Sequence, residues 1–481
     1  MIKKYTIFKI AFGMILLLIS IINIYYLIKS INIIPFKYNL IIIGISLLLI
    51  LISFIFFKTK RLKLWIVILY IISFISLISL SFFLHNKINY TIKFINENLN
   101  IKYETNIYNL VVNSKSKINN INDIEGKTIK LVNDIETNES LIKLLNKKIK
   151  NVKIVYVENA SSLLYEIENN NETIVLVNSG NYDAIIKEEP KYINKVKILD
   201  NIEIAKRIEN VSTGIDITKD TFIIYLSGID TRSNKLPAKS LSDANIILVI
   251  NPIYKKILMI NTPRDYYINL HEINLKDKLA HTGIVGGINM SLKTLEDLYN
   301  IKIPYYVRIN FKAVIKLVDA IDGITLYNQN KSFKSTSDNN CIFKKGNNNV
   351  NGKCALAFAR ERYIYTDGDR QRGKNQEQVI QKVIEKITSS KILISKYTNI
   401  LKSLNNTFET NITVEEIVNF IKMQLDDMSK WSIDTYNVTG KDSYAFTYSY
   451  PKRKIYVMKP NIDTIKEAQN KIKETLTNNI Q

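Results

Sequence analysis

The chain has 481 residues, a formal net charge of +22 and an apolar content of 46%. This length allows roughly two to four domains, and the composition excludes a chain too polar to bury a core. Two cysteines and three scattered histidines leave no ligand spacing for a structural metal cluster.

In chain order, three runs come first. Residues 10–28, 38–57 and 64–84 carry no charge, and each matches a helix crossing a bilayer core of roughly 30 Å. A cleaved leader would account for the first run but not the other two. Lys3, Lys4 and Lys9 precede the first run and KTKRLK (58–63) separates the second from the third, whereas loop 29–37 carries only Lys29 and Lys37. The positive-inside rule predicts three transmembrane helices in 1–86, a cytoplasmic N-terminus and an extracytoplasmic remainder, in a multi-pass protein of the cell membrane. Outward placement changes how the positive charge is read. Nucleic acid is disfavoured as a partner, and membrane lipid headgroups, pyrophosphates and wall polyanions take its place.

Residues 87–215 alternate short apolar strands with polar helical stretches: NLVVNS (109–114), INDIEGKTIKLV (121–132), SLIKLLNKKIK (140–150), VKIVYVEN (152–159), SSLLYEIENNN (161–171) and TIVLVNS (173–179). This βαβ rhythm predicts a small α/β accessory domain acting as a spacer or docking unit.

Residues 216–481 open on the strand TFIIYLSGID (221–230), followed by a hairpin of NIILVI (245–250) and KILMINT (256–262). A helix (289–299), a strand (305–310), a glycine-stopped helix (311–323) and a strand (324–327) come next. A short helix (355–360) leads into an arginine-rich segment. Helix 375–388 then shows one apolar face at positions 379, 380, 383, 384 and 387. The expected architecture is an α-β-α sandwich around a mixed central sheet. Cys341 and Cys354 could bridge in an oxidising compartment, and closing a loop of that size is worth ~3 kcal/mol in the chain-entropy model.

Lysine supplies most of the positive charge. The ten arginines are residues 61, 207, 232, 264, 308, 360, 362, 370, 372 and 453, so four fall within 360–372. A planar guanidinium grips phosphate with two parallel hydrogen bonds, which an ammonium cannot do. Other polar groups sit where strands end: Asp230 and Arg232, then Asp243, then Arg264 and Asp265, then Lys278 and His281. Carboxylates Asp230 and Asp243 suit a hard cation such as Mg²⁺, and the arginines with Lys278 suit a pyrophosphate. Each aspartate alone could equally be a turn or cap residue. Arg308 could pair with an acid on the sheet face, Arg360 and Glu361 could form a solvated helix pair, and His281 could be structural.

The order GIDTR … SDAN … NPIYKKILMINTPRDYYI … DKLAHTGIVGG … YYVRINF … LVDAIDGI … NGKCALAFARERY … DGDRQRGKNQ resembles the LytR–CpsA–Psr family across 216–481. The resemblance implies a membrane-anchored phosphotransferase. It would move a glycopolymer, such as teichoic acid or capsule, from an undecaprenyl-pyrophosphate carrier onto a peptidoglycan hydroxyl. The alternatives are a lipid-pyrophosphate hydrolase and a non-catalytic polyprenyl-pyrophosphate binder or sensor. By the same resemblance Asp230 and Asp243 hold Mg²⁺ or Mn²⁺. Arg264, Lys278, Arg360, Arg362, Arg372 and Gln376 contact the pyrophosphate, with Arg232 as an additional candidate. Arg264, Asp265 and Asp369 are the catalytic candidates; the base stays open between Asp265, Asp369 and a metal-bound hydroxyl. One position departs from the pattern: Leu241 stands where the family often has arginine, two residues before Asp243.

Overall fold

The computed structural model describes residues 102–132, 138–157, 159–208, 213–229, 236–366, 368–389 and 407–477, with scattered positions of 18–93 and of 396–403. The three charge-free runs expected to cross a membrane lie largely outside the described residues. Among the described residues no helix is long and apolar enough to do so.

The first unit is a five-stranded sheet. Its strands are β1 (Lys102–Asn113), β2 (Thr128–Val132), β3 (Lys153–Val157), β4 (Ile174–Asn178) and β5 (Val196–Ile208), in the order β3-β2-β4-β1-β5. β1 runs antiparallel to both its neighbours, and β2 is parallel to β3 and β4. Alternate residues sort to opposite faces. Leu110 and Val112 pack with Leu141 and Leu145 of α1 (Asn138–Lys148). Val111, Val175 and Val177 pack on the other face with Leu163 and Ile167 of α2 (Ala160–Asn169) and Ile185 of α3 (Ser179–Glu188). β5 and α3 are absent from the sequence reading. β5 interleaves charges with its apolar residues, and α3 opens on Gly and Asn, which usually punctuate rather than begin helices. Its start is secured by Asn178, whose side chain accepts a hydrogen bond from the Gly180 N–H.

The second unit is built on β6 (Phe222–Ile229), β7 (Ser242–Asn251) and β8 (Lys256–Asn261). A small ribbon follows, formed by β9 (Tyr267–Asn269) and β10 (Lys276–Lys278), and leads into α4 (Leu279–Tyr299). Next come β11 (Tyr305–Asn310), α5 (Phe311–Ala320), β12 (Ile324–Asn328), β13 (Phe333–Lys334), β14 (Ile342–Phe343), β15 (Gly346–Val350), α6 (Gly352–Arg360) and α7 (Asp369–Ile387). Finally come β16 (Phe408–Thr410), α8 (Val414–Asp427), β17 (Ser432–Asn437), β18 (Gly440–Ala445), β19 (Ile455–Pro460) and α9 (Ile462–Thr477).

The main sheet has the order β16-β11-β6-β7-β8-β17 and is mixed, with β6–β11 and β8–β17 parallel and the other pairs antiparallel. Every residue of β6 and β7 is buried, because helices cover both faces. Tyr225, Val249 and Ile260 face α4 and α9, while Ile224, Leu248 and Met259 face Ile380 and Ile384 of α7 and Phe420 of α8. The sandwich matches the expected layers.

Helix boundaries differ from expectation, most at the starts of two helices. α4 begins ten residues earlier than the expected 289, with a break at Gly286 and Gly287, the latter at φ 65° where glycine is favoured. α7 begins at Asp369, so Arg370, Arg372 and Lys374 ride on a helix rather than a loop. The bridge between Cys341 and Cys354 forms, with Cα atoms 5.3 Å apart.

Candidate functional site

The polar residues noted at strand ends converge because the C-terminal ends of β6, β8, β11 and β17 and the N-terminal end of β7 lie at one edge of the main sheet. Asp243 is the second residue of β7. The preceding Ser242 hydroxyl donates to Asn245 Oδ1 (2.8 Å) and shares a hydrogen bond with Ser227 Oγ (2.8 Å). Tyr225 OH also reaches Asn245 (2.6 Å). This buried network fixes the strand start that carries Asp243. Arg308 braces the approach to it. Its guanidinium pairs with Glu409 (2.9 Å) and donates to the Pro237 carbonyl (2.7 Å) and Ser240 Oγ (3.0 Å). It is a structural arginine, as its sheet position suggested.

Arg264 and Asp265 follow β8 and are clipped by backbone hydrogen bonds. Ala280 N–H donates to the Arg264 carbonyl (2.8 Å) and Met458 N–H to the Asp265 carbonyl (2.7 Å). The Arg264 guanidinium pairs with Asp243 Oδ1 and lies 3.8 Å from Asp265. Lys278 ends β10, is 3% exposed, and reaches Asp265 at 3.3 Å. Burial alone would raise the pKa of Asp243, but Arg264, then Lys187 and Arg372, more than reverse it and hold the carboxyl far below its usual range. Asp265 is also lowered, against burial, by Arg264, Lys278 and Arg372. A carboxylate held that way is a poor proton acceptor, which weakens Asp265 as the general base.

The third wall is the first two turns of α7. Gly373 allows it close to the strand ends, since a Cβ there would stand 2.2 Å from Asn261 Nδ2. Asn261 in turn donates to Asn437 Oδ1 (3.0 Å) at the end of β17. A cleft of ≈ 90 Å³ results, and its lining includes Asp243, Arg264, Arg370, Arg372, Lys374 and Gln376. Arg372 and Gln376, four apart on the helix, are both 8% exposed.

The four clustered arginines therefore separate. Arg372 faces the cleft. Arg370, which is not among the contacts the resemblance implies, also lines it and binds the Gly440 carbonyl (2.8 Å) and Asp442 (3.2 Å). Arg360 lies 5.2 Å from the centre of the Phe311 ring, and Arg362 stacks on Tyr363 and donates to its hydroxyl (2.6 Å). Neither is among the cleft-lining residues. Glu361 is not half of a solvated pair. It is buried and accepts hydrogen bonds from Thr336 N–H (2.7 Å), Thr336 Oγ1 (2.8 Å) and Ser335 Oγ (3.1 Å). His281 is structural, paired with buried Asp277 (2.7 Å). Asp230 and Arg232 lie outside the described residues, as does the side chain of Asp369.

Three residues at this edge escaped the sequence reading. Lys187 and Glu188, at the end of α3, reach in from the first unit: Lys187 Nζ is 2.6 Å from Asp243 Oδ2, and Glu188 Oε1 is 2.6 Å from Lys278 Nζ. Glu377, next to Gln376, is 3% exposed and accepts from Asn437 Nδ2 (2.6 Å). Burial pushes its pKa up to about 8. A Lys-Glu pair at a helix end reads as solvated surface, and an acid on a polar helix likewise, so sequence alone held no signal for them.

The model of the LytR_cpsA_psr family matches residues 185–471. Biofilm regulatory protein A of Streptococcus mutans is 33% identical over 293 residues, which is 57% of this chain and 69% of that protein. The polyisoprenyl-teichoic acid–peptidoglycan teichoic acid transferase TagU of Bacillus cereus is 30% identical over 253 residues, 52% of this chain and 79% of that protein. The crystal structure of TagV from B. subtilis aligns with a TM-score of 0.46 at 27% identity, covering 54% of this chain and 98% of that one.

Proposed function

This chain belongs to the LytR-CpsA-Psr family, and from that premise we propose that it is a membrane-anchored phosphotransferase. It would move a glycopolymer of the teichoic acid or capsule class from an undecaprenyl-pyrophosphate carrier to a peptidoglycan hydroxyl. One observation carries the reading: among the described residues of the cleft lining, Arg264, Arg370, Arg372 and Lys374 stand against one carboxylate, Asp243. Such an excess of positive charge, walled by buried guanidiniums, favours a multiply charged anion.

The chemistry follows from those groups. Attack of the acceptor hydroxyl on the phosphorus next to the sugar forms a new P–O bond, and the bridging P–O bond breaks. Undecaprenyl phosphate leaves with its electron pair, and the hydroxyl proton passes to a base, with Asp369 as the remaining carboxylate candidate. Charge grows on the leaving phosphate, where Arg264 and Arg372 sit preorganised and desolvated. Lys278 adds a third cation, and Gln376 an uncharged donor that fixes orientation. Asp265 holds Lys278 and Arg264 in place rather than accepting a proton.

Asp243 is a buried carboxylate kept ionised, the donor type a divalent cation takes, with Arg264 now at its Oδ1 and Lys187 at its Oδ2. Asp243, with Asp230 as its expected partner, would hold Mg²⁺ or Mn²⁺, which would supply charge neutralisation at the phosphates. The three charge-free runs of 1–86 would anchor the chain with this site outside the membrane.

The test is transfer of labelled lipid-linked glycan to peptidoglycan by Arg264→Ala and Arg372→Ala proteins. Each should lose about 100-fold or more in rate, the usual effect of removing one preorganised donor. Wild-type rates in both variants would refute the reading.

A further inference from the structure

The segment that touches both Asp243 and Lys278 belongs to the first unit, not to the main sheet. Three observations bear on what it does there. First, α3 docks through one stripe. Gly180 lies so close to the second unit that a Cβ would stand 2.4 Å from the Lys239 carbonyl oxygen, and Ala184 packs with Leu241, Ala280 and Ile284. Residues 180, 184, 187 and 188 fall on one helical face. The contact that buries Gly180 and Ala184 therefore aims Lys187 and Glu188 at the site.

Second, the departure at Leu241 gains an explanation. Leu241, just before β7, packs against Ala184 of α3, so an arginine at 241 would have met that helix beside Asp243. Leu241 is instead 6% exposed within the docking contact. One helical turn beyond Ala184, Lys187 brings an ammonium to Asp243 Oδ2 (2.6 Å), while Arg264 holds Oδ1. The positive charge missing from position 241 arrives from the other unit. Third, the Lys187 side chain is 37% exposed whereas that of Asp243 is 4% exposed, so the ammonium can turn toward a ligand without first being released from a core.

We propose that the C-terminal turn of α3 is a working part of the site, with Lys187 as a phosphate-binding side chain and Glu188 as the carboxylate that phosphate displaces from Lys278. This rests on the pyrophosphate reading above and deepens it. The two neighbours have opposite signs of effect. Lys187 adds attraction for an incoming anion. Glu188 occupies Lys278 and repels that anion, and Lys278 keeps Asp265 at 3.3 Å when Glu188 is removed. A helix that merely docked would give both substitutions the same sign.

The experiment uses the full chain in detergent and titrates farnesyl pyrophosphate by calorimetry, with chelator and with Mg²⁺. Lys187→Ala should weaken binding about 10- to 100-fold, the range for a lost charge-assisted hydrogen bond, and Lys187→Arg should restore most of it. Glu188→Gln should tighten binding about 3- to 10-fold by freeing Lys278. Equal or same-direction effects in Lys187→Ala and Glu188→Gln would overturn the inference, as would tighter binding in Lys187→Ala, the mark of a plug. Wild-type glycan transfer is measured in parallel. If it proceeds while the variants bind like wild type, this inference alone fails. If wild type neither binds nor transfers, the pyrophosphate reading fails with it.

Discussion

Replacing Glu377 with glutamine should stabilise the protein, and by an amount that depends on pH. The side chain is 3% exposed, Oε2 accepts one hydrogen bond from Asn437, and Oε1 has no partner among the described residues. Ionisation there would strand charge in a poorly solvated wall, which is why burial lifts the pKa from 4.5 to about 8. Below pH 4.5 both folded and unfolded chains hold the proton, and the group contributes nothing. Between 4.5 and about 8 the unfolded chain has released the proton while the folded chain keeps it, so stability falls as pH rises through this window. At pH 7, about 2.5 units above the ordinary value and at about 1.4 kcal/mol per unit, the penalty is about 3.5 kcal/mol. The glutamine amide would keep the hydrogen bond from Asn437 and never ionise. The assay is denaturant unfolding followed by tryptophan fluorescence, with buried Trp431 as reporter, in wild type and Glu377→Gln from pH 4.5 to 8. The two should coincide near pH 4.5 and separate progressively above it. A gap that stays constant across that range would refute the assignment of a buried, neutral carboxyl.

Two further predictions concern how the site is held. Gly373→Ala should push Asn261 off Asn437, loosening the turn that presents Arg372. A loss of about 1–3 kcal/mol in stability and a lower rate of glycan transfer are expected, and unchanged values in both assays would contradict the close approach. The Cys341→Ser/Cys354→Ser double variant should lower stability by about 3 kcal/mol, because the bridge closes a loop between residues 13 apart and restricts the unfolded chain. The same loss should appear in wild type on reduction, read as the shift in unfolding midpoint.

Much of the scaffold was legible because its physics is local. β6, β7 and β8 announced themselves as unbroken apolar runs bounded by turn residues, the pattern of strands covered on both faces. The stop after α5 was visible at Gly323, which sits at φ 75° where glycine is favoured. Asp243 and Arg264 stood out because polar groups flanking apolar runs end up at a sheet edge. Boundaries were less legible. α7 starts ten residues before its apolar face begins at Val379, since its first turns are held by contacts to β8 and β17 rather than by periodicity.

The sequence by itself determined the layers, the family pattern and the positive character of the site, because strand runs, helical periodicity and arginine placement are properties of neighbouring residues. Only the tertiary structure decided which arginines face the cleft. Arg360 and Arg372 are alike in sequence, yet one stacks on Phe311 and the other lies beside two buried aspartates. Tertiary structure alone also brought Lys187 and Glu188 to Asp243 and Lys278, across 56 and 90 residues of chain. Their meaning depends on the small contact that Gly180 and Ala184 make with Leu241 and its neighbours. No property of a helix end read in isolation encodes the surface it will meet.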